Sequence, residues 1–138
     1  MNKLNLPEIV LGIVKNSDSK ILIIQRAKVE KGTDEVKLSW AFPGGKIENS
    51  ETKEKAVERE ILEETGYIVK ACKIINEKQH PQFPVYVYYI ECFLVNDKSV
   101  TTPDPNEIKQ VLFVGCNDLS KYFTTSIDDK VIEFLNNE

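Results

Sequence analysis

The stretch PVYVYYIECFLV (Pro84–Val95) leaves the chain the fewest choices. β-Branched and aromatic residues dominate it, and these favour a pleated strand. Its apolarity is nearly continuous instead of alternating, which predicts a strand buried on both faces. The apolar runs Ile9–Val14 and Ile21–Gln25, joined by the polar KNSDSK (Lys15–Lys20), predict a hairpin. Tyr67–Ile75 and Lys109–Gly115 are further expected strands, the latter following the proline-rich loop TTPDPNEI (Thr101–Ile108). The charged segment Ala27–Ser39 is expected to be a surface loop, and WAFPGG (Trp40–Gly45) offers strong turn formers. A helix is expected over about Thr52–Thr65, stopped by Gly66. In SIDDKVIEFL (Ser126–Leu135), Ile127, Val131, Ile132 and Leu135 recur at helical intervals, with Ser126 as the expected N-cap. The expected fold class is therefore α/β (α+β), a mixed sheet with about two helices, in one domain over residues 1–138.

Charge and composition narrow the partners. The net charge is −4 and the lysines are spread along the chain, so a nucleic-acid polymer, which calls for a basic stripe, is not an expected partner. The apolar run Ile9–Val14 is far too short to span a membrane, and it lacks a cleavage-site pattern. Neither membrane attachment nor a leader is expected, and the default location is the cytoplasm. Cys72, Cys92 and Cys116 lack CxxC spacing and sit in or beside apolar segments. They read as reduced, mostly buried small hydrophobes.

The stretch REILEETG (Arg59–Gly66) poses a chemical question. Glu60 and Glu64 stand at i,i+4, where like charges repel by roughly 0.2–0.5 kcal/mol. At roughly 100° per residue, Val57 and Ile61 form an apolar stripe. Glu60 and Glu64 lie immediately beside it, Glu63 just beyond Glu60, and Arg59 further round on the polar side. A merely solvated acidic face would lie opposite the core, whereas these carboxylates flank it. A divalent cation among them would turn the repulsion into binding energy, and hard oxygen ligands suit Mg²⁺ or Mn²⁺. A site of that type fits phosphoryl chemistry on a small molecule.

The wider stretch GKIENSETKEKAVEREILEETGY (Gly45–Tyr67) resembles the Nudix box. Gly45, Glu51, Arg59, Glu60, Ile61, Glu63, Glu64 and Gly66 fall on its specified positions, and Tyr67 stands where an aliphatic residue is usual. The preceding AFPGG (Ala41–Gly45) and the order of strands extend the likeness over most of the chain. The resemblance implies a mixed sheet sandwiched between helices, with the box as a loop–helix–loop. It also implies Mg²⁺- or Mn²⁺-dependent hydrolysis of a nucleoside diphosphate linked to another moiety. Carried over by position, Glu60 and Glu64 would be metal ligands, and Glu63 a ligand or the base that activates water. The Gly45 carbonyl would be a further ligand, and Arg59 would pair with Glu51 to fix helix against loop. The implied partner is a small-molecule nucleoside diphosphate derivative; a second copy of the chain, as a homodimer, is a further candidate.

Other residues are candidates of a second rank. Glu107 lies in the loop before the last strand, where many members of the family carry an acid that adds a ligand or serves as general base. Arg26 ends the second apolar run and is a candidate for a phosphate. Trp40, Phe42 and Phe83 are candidates for stacking on a base, with Tyr86 behind them, and His80 for a phosphate or a base role. The compact length resembles MutT-like nucleoside triphosphate pyrophosphatases. Ile127 stands about where those specialised for oxidised purines tend to place a base-reading asparagine. Pro81 lies near the marker proline of ADP-ribose-cleaving members, which makes ADP-ribose the alternative substrate. A nucleotide-sensing module without catalysis is the rival class, and the intact box glutamates speak against it.

Overall fold

A computed structural model describes residues 5–31 and 37–137. In chain order the elements are β1 (Glu8–Val14), β2 (Lys20–Lys31), β3 (Lys37–Ala41), β4 (Gly44–Lys46), α1 (Lys53–Thr65), β5 (Val69–Gln79), β6 (Tyr86–Leu94), β7 (Ile108–Gly115), α2 (Leu119–Tyr122) and α3 (Asp129–Asn136). A 3₁₀ turn over Cys116–Asp118 leads into α2. The strands make a mixed sheet in the order β4-β1-β6-β5, with β1 and β6 parallel, and an antiparallel sheet in the order β3-β2-β7. This is the mixed α+β arrangement expected from the sequence.

The continuous apolar runs are explained by two cores, one on each face. Val10, Val14, Leu22, Tyr88, Ile90 and Cys92 turn toward α1 and pack with its Ala56, Val57 and Ile61. Their neighbours Ile13, Ile21, Ile23, Val87 and Tyr89 turn the other way and pack with Leu119, Val131 and Leu135 from α2 and α3. Successive strand residues alternate faces, so a strand buried on both sides has no position left for a polar residue. β6 keeps this rule from Val87 to Ile90; Glu91 is half-buried, and Phe93 is 53% exposed.

α1 begins and ends where its local chemistry directs. The Thr52 side chain accepts a hydrogen bond from the Lys55 N–H at 3.1 Å, satisfying one of the first-turn donors. Gly66 takes the left-handed conformation at φ +80°, and its N–H donates to the Leu62 carbonyl at 2.9 Å. A side chain there would also strike the Thr101 carbonyl.

Five expectations are corrected. The runs Ile9–Val14 and Ile21–Gln25 do not pair as a hairpin: β1 and β2 belong to different sheets, and an isolated antiparallel bridge between Lys15 and Ile21 links them at the turn. The charged segment Ala27–Ser39 is not loop throughout, since β2 runs on to Lys31 and β3 starts at Lys37, with Glu30 opposite Leu38; residues 32–36 lie outside the described residues. The ladder with β3 satisfies the backbone there, which composition cannot reveal. Within WAFPGG, Trp40 and Ala41 end β3 and Gly44 and Gly45 open β4, so the turn is confined to Phe42 and Pro43. Asp128, not Ser126, caps α3, its Oδ2 accepting from the N–H groups of Lys130 and Val131 at 3.0 and 3.1 Å. Ser126 donates instead to the Gln82 side chain, from N at 2.9 Å and from Oγ at 3.2 Å. The cysteines are free, but only Cys92 is buried; Cys116 is half-buried and Cys72 exposed.

Because Gly66 combines a positive φ with contact against backbone, Gly66→Ala is expected to cost about 2 kcal/mol or more. Equilibrium urea unfolding should show the lowered midpoint.

Candidate functional site

The sequence places an acidic edge on α1, and the fold presses that edge against β4. Arg59 organises it. Its Nε donates to Glu51 Oε2 at 2.6 Å and its Nη2 to Glu51 Oε1 at 3.0 Å, the two-pronged geometry in which guanidinium and carboxylate fit best. Nη1 reaches Glu60 at 2.9 Å and Glu63 at 2.8 Å, and Nη2 reaches the Lys46 carbonyl at 3.2 Å. Glu48 lies 3.4 Å from the same guanidinium. The loop Ile47–Thr52 is thereby tied to the helix, as the pairing of Arg59 with Glu51 implied.

Glu60 and Glu64 are the two box carboxylates that line the cleft beside this edge. Glu64 is buried; its Oε1 accepts from the Gly44 N–H at 2.8 Å and its Oε2 faces Arg26 Nη1 at 3.3 Å. Burial pushes its carboxyl up to about 7, overriding Arg26 and the Gly44 N–H, which pull it down. Burial likewise raises Glu60, opposed by Arg59. Glu60 stands directly against β4, for a Cβ on Gly45 would lie 2.6 Å from its carboxyl carbon. Only glycine lets backbone and carboxylate approach so closely.

The convergence of three carboxylates suggested by their spacing is corrected. Glu63 is 55% exposed at its side chain and turns to Arg59, while Glu64 turns to Arg26. Among the described residues, no three acidic, histidine or cysteine side chains gather closely enough to hold a metal together. Glu60 and Glu63 pair with Arg59 and Glu64 with Arg26, which offsets their mutual repulsion. The donor set still fits a hard divalent cation. Glu48, Glu51, Glu60, Glu63 and Glu64 share only two guanidinium groups, Arg59 and Arg26. Glu60 and Glu64 supply oxygen donors beside the β4 backbone at Gly45.

Beside this acidic edge lies a cleft of about 300 Å³. Glu60, Glu64, Arg26 and Lys46 line it, and so do Phe42, Phe83, Phe123 and Ile127. Phe42 meets Phe123 edge-on at 4.9 Å, so the aromatic wall is packed in place. His80 also lines the cleft; its Nδ1 accepts from the Gln82 N–H at 3.0 Å and its ring meets Phe83 at 5.1 Å. Burial, with help from Lys78, lowers its pKa, favouring the neutral ring.

Of the expected site residues, the structure brings Arg26, Phe42, Gly45, Glu60, Glu64 and Phe83 to one cleft. Arg59 and Glu63 flank it. Trp40 packs edge-on against Tyr122 at 4.9 Å and is not among the lining residues. Glu107 sits in an exposed loop, its carbonyl accepting from the Ala27 N–H at 2.9 Å, and does not line the cleft. Tyr86 also stays outside, donating its hydroxyl to Glu77 at 3.0 Å. Lys46, Tyr89, Phe123, Thr125, Ser126 and Asp128 line it without having been singled out for that role. Asp128 had a visible signal, an acid just before an apolar helical repeat. Its carboxylate holds Lys78 Nζ at 2.6 Å and Asn76 Nδ2 at 3.0 Å. The others had none: Lys46 and Tyr89 arrive through strand pairing, and Phe123, Thr125 and Ser126 through the connection between α2 and α3.

Comparison with known proteins agrees with this geometry. The family model described as NUDIX domain matches residues 6–135. An 8-oxo-dGTP diphosphatase of Proteus vulgaris is 35% identical over 90 residues, 64% of this chain and 75% of that protein. An ADP-ribose pyrophosphatase of Methanocaldococcus jannaschii is 37% identical over 75 residues, 54% of this chain and 41% of that one. Among solved structures, an ADP-ribose pyrophosphatase from Streptococcus suis superposes with a TM-score of 0.69 at 20% identity, covering 96% of this chain and 91% of the other. That last likeness speaks to the fold alone.

The Arg59 pairing has a pH signature. The Arg59 guanidinium, above all, holds the Glu51 carboxyl down to about 2 from an ordinary 4.5. A depressed carboxyl stabilises the fold fully above its unfolded value, and that stabilisation is lost as pH falls toward about 2. Urea unfolding across this interval should show wild-type stability falling with acid. Glu51→Gln should start lower at neutral pH and lose less over the same range.

Proposed function

The chain belongs to the Nudix family, and on that premise we propose that this Nudix pyrophosphohydrolase cleaves the diphosphate linkage of a nucleoside triphosphate or modified nucleotide. The observation that carries the proposal is the make-up of the cleft: carboxylates Glu60 and Glu64 line it together with the aromatic rings of Phe42, Phe83 and Phe123. A molecule spanning it would lay its phosphates at the acids and its base against the aromatic wall.

Nudix hydrolases generally depend on a divalent metal. Here Glu60, Glu64 and the Gly45 carbonyl would hold Mg²⁺ or Mn²⁺, with Glu63 a further ligand or the general base. The cation would neutralise and polarise the diphosphate. The chain's own residues do the rest. Arg59 keeps Glu60 and Glu63 oriented, so neither carboxylate must be ordered during the reaction. Glu63 flanks the cleft without lining it, 2.8 Å from Arg59, and would accept a proton from an attacking water at that margin. Arg26 and Lys46 line the same cleft and suit phosphate oxygens. Phe42, Phe83 and Phe123 exclude water around the base. The proposal gives Trp40 and Glu107 no contact with substrate, because neither lines the cleft.

ADP-ribose is the second substrate reading. The observation in its favour is the similarity to the Methanocaldococcus jannaschii protein, 37% identical where the Proteus vulgaris 8-oxo-dGTP diphosphatase is 35%. Ile127 on the cleft wall, where an amide could read a purine, points the same way.

A panel of nucleoside triphosphates, their oxidised forms, ADP-ribose and dinucleoside polyphosphates separates these readings. With Mg²⁺ present, wild type should release phosphate product from at least one member. If Glu63 is the base, Glu63→Gln should lower turnover by about 10²–10⁴-fold, and Glu64→Gln should remove the saturable dependence on cation. No consumption of any member by wild type would refute the proposal.

A further inference from the structure

The two arginines of the site are unlike. Arg59 has its Nε and both terminal nitrogens engaged at 2.6–3.2 Å. Arg26 has one hydrogen bond among the described residues, Nη1 to Glu64 Oε2, and at 3.3 Å it is a long one. Its Nε is buried with no acceptor. A guanidinium carries five donors in a rigid fork, and a buried donor left unpaired costs free energy. The first arginine is saturated; the second is short of acceptors.

The backbone shows how Arg26 comes to be there. β2 runs in regular register with β7 through Gln25, opposite Gln110, and then Arg26 falls opposite Ile108. Lys109 is left over, and the ladder with β3 shifts after Gln25 as well. Such a bulge re-aims a side chain, and here it leaves Arg26 lining the cleft beside Glu64 and Lys46.

We propose that Arg26 is an exchangeable counter-ion: it neutralises Glu64 until a divalent cation takes that carboxylate, and the released guanidinium then grips the phosphates of the ligand. The proposal rests on reading the cleft as a cation-dependent phosphohydrolase site. One oxygen, Glu64 Oε2, cannot serve both the guanidinium and a cation closely, because the two positive charges would repel. The other oxygen is occupied by the Gly44 N–H at 2.8 Å, so the exchange falls on Oε2. Once free, Arg26 needs acceptors for several donors, and a diphosphate offers them in the two-pronged geometry a guanidinium prefers. Arg26 therefore opposes cation binding to the free protein and favours it once a phosphate ligand is present. By linkage, the cation must strengthen phosphate binding by the same factor.

The test measures Mn²⁺ binding to the full chain from the electron-spin signal of free Mn²⁺. It is run with and without methylenediphosphonate, a diphosphate mimic with neither base nor hydrolysable bridge. Without the mimic, Arg26→Gln should bind Mn²⁺ about two- to fivefold more tightly than wild type, the scale of a partly exposed ion pair. Lys46→Gln, which removes a like charge from the same cleft but no partner of Glu64, should shift it less. The factor by which the mimic tightens Mn²⁺ should fall severalfold in Arg26→Gln. Arg26→Lys, which keeps the charge and loses the fork, should lose most of that factor while binding Mn²⁺ nearly as wild type does. It carries the test if the glutamine variant does not fold. Unchanged or weaker Mn²⁺ binding in folded Arg26→Gln, an equal gain in Lys46→Gln, or an unaltered coupling factor would overturn the exchange. If Glu64→Gln binds Mn²⁺ as well as wild type, the exchange fails together with the reading of Glu64 as a ligand. If Glu64→Gln loses Mn²⁺ and the panel shows turnover, but Arg26→Gln behaves as wild type, the exchange alone fails.

Discussion

Five carboxylates crowd the start of the box and one edge of α1, and the shape of the site follows from what neutralises them. Arg59 touches Glu48, Glu51, Glu60 and Glu63 from one guanidinium. That sharing is possible because the side chain is planar and rigid, so a single orientation serves several acceptors. A lysine at the same position would carry the charge but not the geometry. Fixing Arg59 fixes the loop against the helix, and the helix in turn carries Glu60 and Glu64 to β4.

Burial of the sheet on both faces makes the other half of the site possible. α1 covers one face through Ala56, Val57 and Ile61, and α2 and α3 cover the other through Leu119, Val131 and Leu135. Beside the crossing from β3 to β4 lies the cleft, which Ala41, Phe42, Gly44 and Gly45 all line. Pro43 still accepts from the Gly12 N–H at 2.8 Å, so this crossing is anchored to β1. The acids from one layer and the aromatics from the other meet there on a braced backbone, the condition under which side chains hold a substrate precisely.

Glu64 shows how a buried acid is tolerated. Desolvation alone would favour its neutral form, and the Gly44 N–H together with Arg26 recovers part of that cost. Glu51, by contrast, faces Arg59 squarely and is held strongly acidic. Two glutamates of the same box thus have opposite electrostatics. The difference lies in burial and in how well each partner fits. The same contrast separates the two arginines, one saturated and one short of acceptors.

Much was legible in the sequence because it depends on local rules. Residue spacing around a helix axis put Val57 and Ile61 inside with Glu60 and Glu64 at their border. Gly66 marked the helix end, since only glycine takes a positive φ there without strain. Nearly continuous apolarity in Pro84–Val95 marked a strand covered on both sides over most of its length. Other features follow from partners distant in the chain. β2 and β3 continue into a charged segment because each supplies the other's hydrogen bonds. Asp128 takes the cap that Ser126 was expected to hold because Gln82, 44 residues away from Ser126, claims the serine. Glu63 turns from its neighbours to Arg59, and Trp40 to Tyr122, by contacts that spacing cannot rank. Periodicity and charge along the chain are enough to mark Arg59, Glu60, Glu63 and Glu64 as candidates for the chemistry. Which candidates share a cleft is set by the fold, because that depends on strand register, an irregular ladder at Arg26 and competition among carboxylates for two guanidinium groups.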